Sequence, residues 1–191
     1  IFNGFIVGLV LGVIFAIAYV TVILASFGNV ESLIQGFGIL FVILGLLFIP
    51  IYYYFFYGGL VYLSKVDRNK YGIGVWGSLG LLALGVVLVA YGIYLAVSRP
   101  SWSMFLVMAV PITIVGLIFQ VLIYIALYRL GNDFGIDYLT AGIIILIVAA
   151  VIYAIPAINV AGGVLALVGL ILMLVGLNEV KKKIEAMIIS K

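Results

Sequence analysis

The sequence contains no cysteine and no histidine. Disulfides, iron–sulfur clusters, thiol nucleophiles and thiolate or imidazole metal sites are therefore excluded within the chain. Of the usual haem ligands only Met and Tyr remain. Charge is scarce as well: 8% of residues are Asp, Glu, Lys or Arg, against roughly 25% in ordinary soluble domains. What stands in their place is apolar, 68% of 191 residues. A folded domain of this size leaves a large surface facing water, and no soluble packing hides so high an apolar fraction. A soluble enzyme, a nucleic-acid binder and a disordered chain are excluded. The apolar runs exceed the ~18 residues that mark a spanning helix. The expected fold class is all-α, a polytopic integral membrane protein.

Breaks in the apolar runs divide the chain into spans. The chain opens on Ile1, and the stretch to Phe27 reads as a membrane span rather than a leader. That first span, about 2–27, stops at Gly28 and Asn29. Ser32 with Gln35 three residues on forms a capping-box pattern that opens the second, about 33–63. Pro50 interrupts it, but the 13 residues after Pro50 up to Leu63 make only ~20 Å of helix, too little for the ~30 Å core. A kink is expected there, not a new span. Spans three and four run about 71–97 and 102–130, with Arg129 and Gly131 closing the latter. Asp137 is a candidate cap for the fifth, about 138–155. A reversal at 155–159 around Pro156 separates it from the sixth, about 159–177. Residues 178–191 form a basic amphipathic tail, with Val180, Ile184 and Ile188 on one helical face.

The basic residues test this count. Six spans place Lys65, Arg68, Lys70, Arg129, Lys181, Lys182, Lys183 and Lys191 on one side, and only Arg99 on the other. Eight against one is a strong positive-inside bias. It predicts a six-helix bundle with both termini cytoplasmic. Fusing spans five and six would set the Lys65–Lys70 and Lys181–Lys183 groups on opposite sides.

Every Asp, Glu, Lys and Arg then falls in a loop or at a span end. Buried ionisable groups are the mark of proton relays, ion coupling and catalysis in a bilayer. Their absence from the span interiors argues against a pump or an intramembrane enzyme. No catalytic residue, cofactor site or metal site is assigned. Asp133 and Asp137, with Asn132, offer too few oxygens for calcium, which takes six or more, and lack the spacing of a calcium loop. Turn formation and capping account for them. An enzyme would have to use Asp67, Asp133 or Asp137 beside Tyr128 at the rim.

The remaining chemistry is polar and packing chemistry. Thr113 and Gln120 lie deep in the fourth span and could line a polar path. An interhelical hydrogen bond is the plainer use of Gln120. Thr21, Ser78 and Thr113 can bond to their own helix backbone. Gly4, Gly8 and Gly12 repeat every four residues, a GxxxG pattern for close helix approach. Ser78, Gly85 and Gly92 repeat every seven, as do Gly162, Gly169 and Gly176, which favours left-handed packing. These faces serve either the bundle itself or a partner subunit. Spans three and six share a Gly-Leu-Ala-rich stretch that two inverted halves could explain; no other pair of spans matches. Tyr52, Tyr53, Tyr54, Phe55, Phe56 and Tyr57 make the densest aromatic cluster. They suit an interfacial belt or a docking surface for a quinone, lipid or partner chain. Trp76 and Trp102 suit opposite interfaces. Lys181, Lys182 and Lys183 suit contact with anionic membrane lipid.

Three stretches, taken in order, carry a resemblance. Gly59-Leu60-Val61-Tyr62-Leu63-Ser64 leads into Tyr71-Gly72-Ile73-Gly74-Val75-Trp76-Gly77. Leu127-Tyr128-Arg129-Leu130-Gly131 ends span four, and Val164–Gly169 with Val175-Gly176-Leu177 closes span six. Their order resembles a multi-pass membrane family of unknown function from thermoacidophilic crenarchaea. The resemblance implies an archaeal plasma membrane and supplies no activity, ligand or site residue. The function expected from all this is a non-catalytic subunit that packs within, stabilises or helps assemble a larger membrane complex, an archaeal respiratory or energy-converting one being a plausible home. The competing class is a small channel or carrier for a neutral or lipophilic solute. Other integral membrane subunits and lipids are the expected partners, and nucleic acid is not.

Because the chain has no cysteine, single-cysteine variants read topology cleanly. Asn69→Cys and Asn132→Cys are expected to react with an impermeant maleimide from one side of the membrane, Asn29→Cys and Ser101→Cys from the other. Labelling of all four from one side would break the span count.

Overall fold

The computed structural model describes residues 1–26, 29–98, 101–153 and 159–189. Gly28, Arg99, Lys191 and the 155–158 part of the reversal lie outside them, as do the side-chain surroundings of residues 8, 9, 12, 15, 153, 159, 160, 188 and 189. Gly8, Gly12 and the Ile188 side chain are thus not described. Among the described residues the chain is all-helical, with no strand. Its helices are α1 (Phe2–Ala25), α2 (Val30–Tyr52), α3 (Gly58–Val66), α4 (Arg68–Ser98), α5 (Trp102–Phe134), α6 (Asp137–Tyr153) and α7 (Asn159–Ile189). A π turn, Tyr53–Tyr57, joins α2 to α3, so 30–66 form one unbroken rod. Among the described residues, four helices are long and apolar enough to cross a membrane: Val30–Val66, Arg68–Ser98, Trp102–Phe134 and Ala161–Met187. Two shorter apolar pieces, Ala16–Ala25 and Asp137–Ile152, add to them.

The helix ends follow side-chain chemistry. The α2 cap is Asn29, whose Oδ1 accepts from the Ser32 amide at 3.1 Å. The helix therefore begins before Ser32, and Ser32 supplies an amide rather than a cap. Asp67 caps α4 by accepting from the Asn69 and Lys70 amides at 3.0 and 3.1 Å. Ser101 caps α5. The end of α5 is four residues beyond Leu130. Gly131 stays helical, and Gly135 takes the left-handed conformation, φ 61°, that only Gly adopts cheaply. Asp137 is the first residue of α6, within its first turn. Pro50 has no amide to donate, and the ladder loosens just after it: the Tyr53 amide faces both Ile49 O and Pro50 O. The wide π turn through the aromatic run follows directly.

Each rod lies antiparallel to its neighbour, and the closest approaches fall on glycines. On α2 and α4, Gly38 faces Gly92 and Gly45 faces Gly85. A Cβ on Gly38 would stand 2.7 Å from Gly92 O, and one on Gly92 would stand 2.7 Å from Gly38 O. A Cβ on Gly45 would run into Val89 and lie 3.4 Å from Gly85 O. Both helices thus carry glycines seven apart, in matched register. Seven residues further along stand Tyr52 and Ser78, both buried. On α6 and α7, a Cβ on Gly142 would sit 2.6 Å from Met173 N, and one on Gly176 would sit 2.5 Å from Leu139 N. Gly169 meets Gly142 O at 3.0 Å by the same construction, and Gly162 is buried. On α4 and α5, Gly77 meets Phe119 O at 2.7 Å and Gly74 meets the Ala126 methyl at 2.6 Å. Gly4 of α1 abuts Phe55 and Phe56. The main core gathers around Leu60, Leu127, Leu139, Ile143 and Met173, near the end that carries most of the basic residues.

Overpacking a backbone contact costs about 1–3 kcal/mol. Gly92→Ala is expected to lower stability by about that much, read by reversible unfolding in mixed detergent. Gly163, whose Cβ would meet nothing within 4 Å, is the control: Gly163→Ala should be neutral or slightly stabilising.

Candidate functional site

Most of the charged residues described gather at one end. Lys70 Nζ donates to both oxygens of Asp133, at 2.8 and 3.1 Å, and the Tyr71 hydroxyl donates to Oδ2 at 2.6 Å. Arg129 donates to Lys70 O at 2.8 Å and Asn69 O at 3.3 Å. Lys183 donates to Phe134 O at 2.7 Å. The α3–α4 junction, the α5–α6 junction and α7 are therefore stitched together at a single rim. Ile1 belongs to the same end, since a Cβ on Gly59 would run into it.

This rim holds parts in place and presents little chemistry. The Asp133 carboxylate is engaged by Lys70 and Tyr71, and the structure does not bring Asp137 to it: Asp137 O accepts from the Thr140 hydroxyl at 2.9 Å. Asp67 is spent on the α4 cap. Among the described residues, no group of three or more Asp or Glu could hold a metal ion. Tyr128 is on the exposed face of α5.

A second candidate lies between α4 and α5. The two helices touch at Gly77 and Gly80 against Phe119, and again where the Tyr91 hydroxyl donates to Phe105 O at 2.7 Å. Between these contacts a cleft of about 310 Å³ opens, with Leu81, Leu84 and Leu88 on one wall and Thr113, Gly116 and Gln120 on the other. Thr113 bonds back to Ala109 O at 2.9 Å, the usual behaviour of a helical threonine. Gln120 Nε2 donates to the Tyr124 hydroxyl at 2.7 Å. The amide carries two donors and an acceptor, and this is its one hydrogen bond among the described residues. Ser78 is fully buried, bonds to Val75 O at 2.8 Å, and is not in the cleft. The structure thus brings Thr113 and Gln120 to one opening and leaves Ser78 elsewhere.

The aromatic run divides. Phe48, Tyr52 and Phe56 stack in sequence, with ring centroids 4.7 and 4.6 Å apart, and Phe5 meets Phe56 edge-on at 4.6 Å. Phe48, Tyr52 and Phe56 border an apolar groove of about 380 Å³ beside Gly45 and Gly85. Phe55 is half-buried against α1. Tyr53 stacks on Tyr57 at 5.4 Å, and Tyr53 and Tyr54 face outward. Trp102 stacks on Phe105, and Trp76 is exposed. Lys181 and Lys182 are exposed at the rim.

Sequence reasoning passed over Gly38, Gly45 and Gly142. The seven-residue spacing of Gly38 and Gly45 was a usable signal. The tie of Lys70 to Asp133, 63 residues apart, and that of Tyr91 to Phe105 left no local trace. Comparison with protein-family models, curated proteins and solved structures yields no match.

Tyr71 is buried with its hydroxyl on a carboxylate. Tyr71→Phe is expected to cost about 1–2 kcal/mol. In a double-mutant cycle with Asp133→Asn, the two losses should be less than additive. Full additivity would mean that the rim contact carries no energy.

Proposed function

We propose that the chain is a six-span, non-catalytic subunit that packs against other integral subunits of a larger complex in the plasma membrane. Both termini are cytoplasmic in this reading, and the membrane is archaeal if the crenarchaeal resemblance holds. The rim contacts support the even number of crossings: Ile1, Lys70, Asp133 and Lys183 lie at one end. The 24 residues of α1 make ~36 Å of helix, enough to cross. The 17 residues of α6 make ~25 Å, which a locally thinned bilayer accommodates.

The observation that carries the partner reading is the outer part of α5. From Trp102 to Val121 it is covered by little of its own chain, and most of its large side chains are exposed. Gln120 stands there at mid-helix with hydrogen-bonding capacity left over. Lipid tails cannot meet that capacity, whereas a neighbouring helix can. The glycine faces do not add to this argument, because Gly4, Gly85, Gly92, Gly169 and Gly176 pack against this chain. The second reading, a carrier for a neutral or lipophilic solute, draws on the α4–α5 cleft, where Thr113 and Gln120 share a wall.

Single cysteines on α5 separate the two. Val107→Cys and Ile114→Cys are expected to cross-link to another membrane protein in native membranes, with Val86→Cys on α4 as the lower-yield reference. Equal, background-level cross-linking at all three would sink the subunit reading. A saturable solute flux in vesicles that Gln120→Leu abolishes would establish the carrier.

A further inference from the structure

A cavity of about 530 Å³ lies at the rim where α1, the α2–α3 rod and α7 meet. Its walls are mostly apolar, formed by Phe2, Phe55, Leu63, Val66, Leu177 and Val180, with Asn3 the polar side chain among them. Its mouth carries Tyr62, Lys181 and Glu185. Lys65 does not line the cavity but stands beside its Tyr62, with its Nζ 5.0 Å from the centre of that ring. Lys181 and Glu185 are 3.9 Å apart and both more than half exposed, so the pair is loose and its cation is available. Lys181 at the mouth and Lys65 beside Tyr62 thus supply two cations on flexible stems. Lys183 differs from them, being held on Phe134 O.

We propose that this cavity binds an anionic phospholipid, with one hydrocarbon chain in the groove and the phosphate between Lys65 and Lys181. The two halves of such a molecule match the two halves of the site. A charged headgroup belongs at the rim, where basic residues meet the anionic leaflet. The volume lies within the roughly 300–1,000 Å³ of ordinary ligand cavities. A peptide segment would need partners for many backbone amides and carbonyls, and the walls offer Asn3 alone for them. A free anion would use the mouth and leave the groove empty. The site requires a membrane environment but stands whether or not α5 meets a partner subunit.

Native mass spectrometry of the full-length chain in neutral detergent tests this, with phosphatidylglycerol and phosphatidylcholine of matched chains added at equal concentration. Phosphatidylglycerol should be retained at least about fivefold better, the factor expected of a single lysine at an anionic headgroup. The double variant Lys65→Gln/Lys181→Gln should bring the two lipids to parity, while Lys182→Gln leaves the preference intact. Both lysines are exposed, so the double variant should keep the parent's melting temperature. Val66→Trp, at the exposed edge of the groove, should lower retention of both lipids. Equal retention of the two lipids by the parent would overturn the proposal, as would a preference that survives loss of both lysines. A preference abolished by inorganic phosphate, with no loss in Val66→Trp, would overturn the lipid assignment in favour of a free-anion site.

Discussion

Close backbone approach at paired glycines is the constraint on which this bundle depends. In lipid there is no hydrophobic force between helices, because the tails are as apolar as leucine. What remains is dispersion and hydrogen bonding, and dispersion grows steeply as surfaces close. Gly38 against Gly92 and Gly45 against Gly85 let α2 and α4 meet main chain to main chain. Gly142, Gly169 and Gly176 do the same for α6 and α7. The seven-residue repeat keeps each seam on one face along the helix. α4 also meets α5 at Gly74 and Gly77, so it is the strut on which two neighbours rest.

The polar rim complements these seams. Glycine contacts set how close two helices lie but restrain sliding weakly, since small residues offer little to interlock. The Lys70–Asp133–Tyr71 group and the Lys183 bond to Phe134 O fix the ends. These bonds sit at the ends of the helices, most of them at exposed side chains. Along the rods the chain satisfies its polar groups locally: Thr21, Thr113 and Ser78 each return a hydrogen bond to their own helix. Gln120 also bonds within its own helix, to Tyr124, but keeps hydrogen-bonding capacity to spare on the sparsely covered outer part of α5.

Helix content and the long apolar segments were legible because composition alone demands them. Boundaries were less so, for chemical reasons. Asn29 and Ser32 both have capping side chains, and only geometry shows that Asn29 accepts while Ser32 donates. Gly131 and Gly135 both look like helix stops, but Gly131 packs against Leu139 and Thr140 while Gly135 turns left-handed. The π turn after Pro50 could be anticipated only as an irregularity, since its width reflects how the aromatic rings stack. The seven-residue pattern of Ser78, Gly85 and Gly92 was readable, but its counterpart on α2 was not identified, because an antiparallel seam pairs residues far apart in the chain. For the same reason Gln120 and Thr113 were recognisable as polar residues, while the cleft they share with α4 was not.

The seam between α2 and α4 is best examined by a double-mutant cycle on Gly38 and Gly92, with unfolding free energies measured in a bilayer-mimetic detergent. If the two backbones touch, the first added methyl already forces the helices apart, and the second costs less. The two losses should then fall short of additive by at least about 0.5 kcal/mol. Losses that add to within about 0.3 kcal/mol would mean that the two glycines do not face one another. The antiparallel glycine seam would then be wrong.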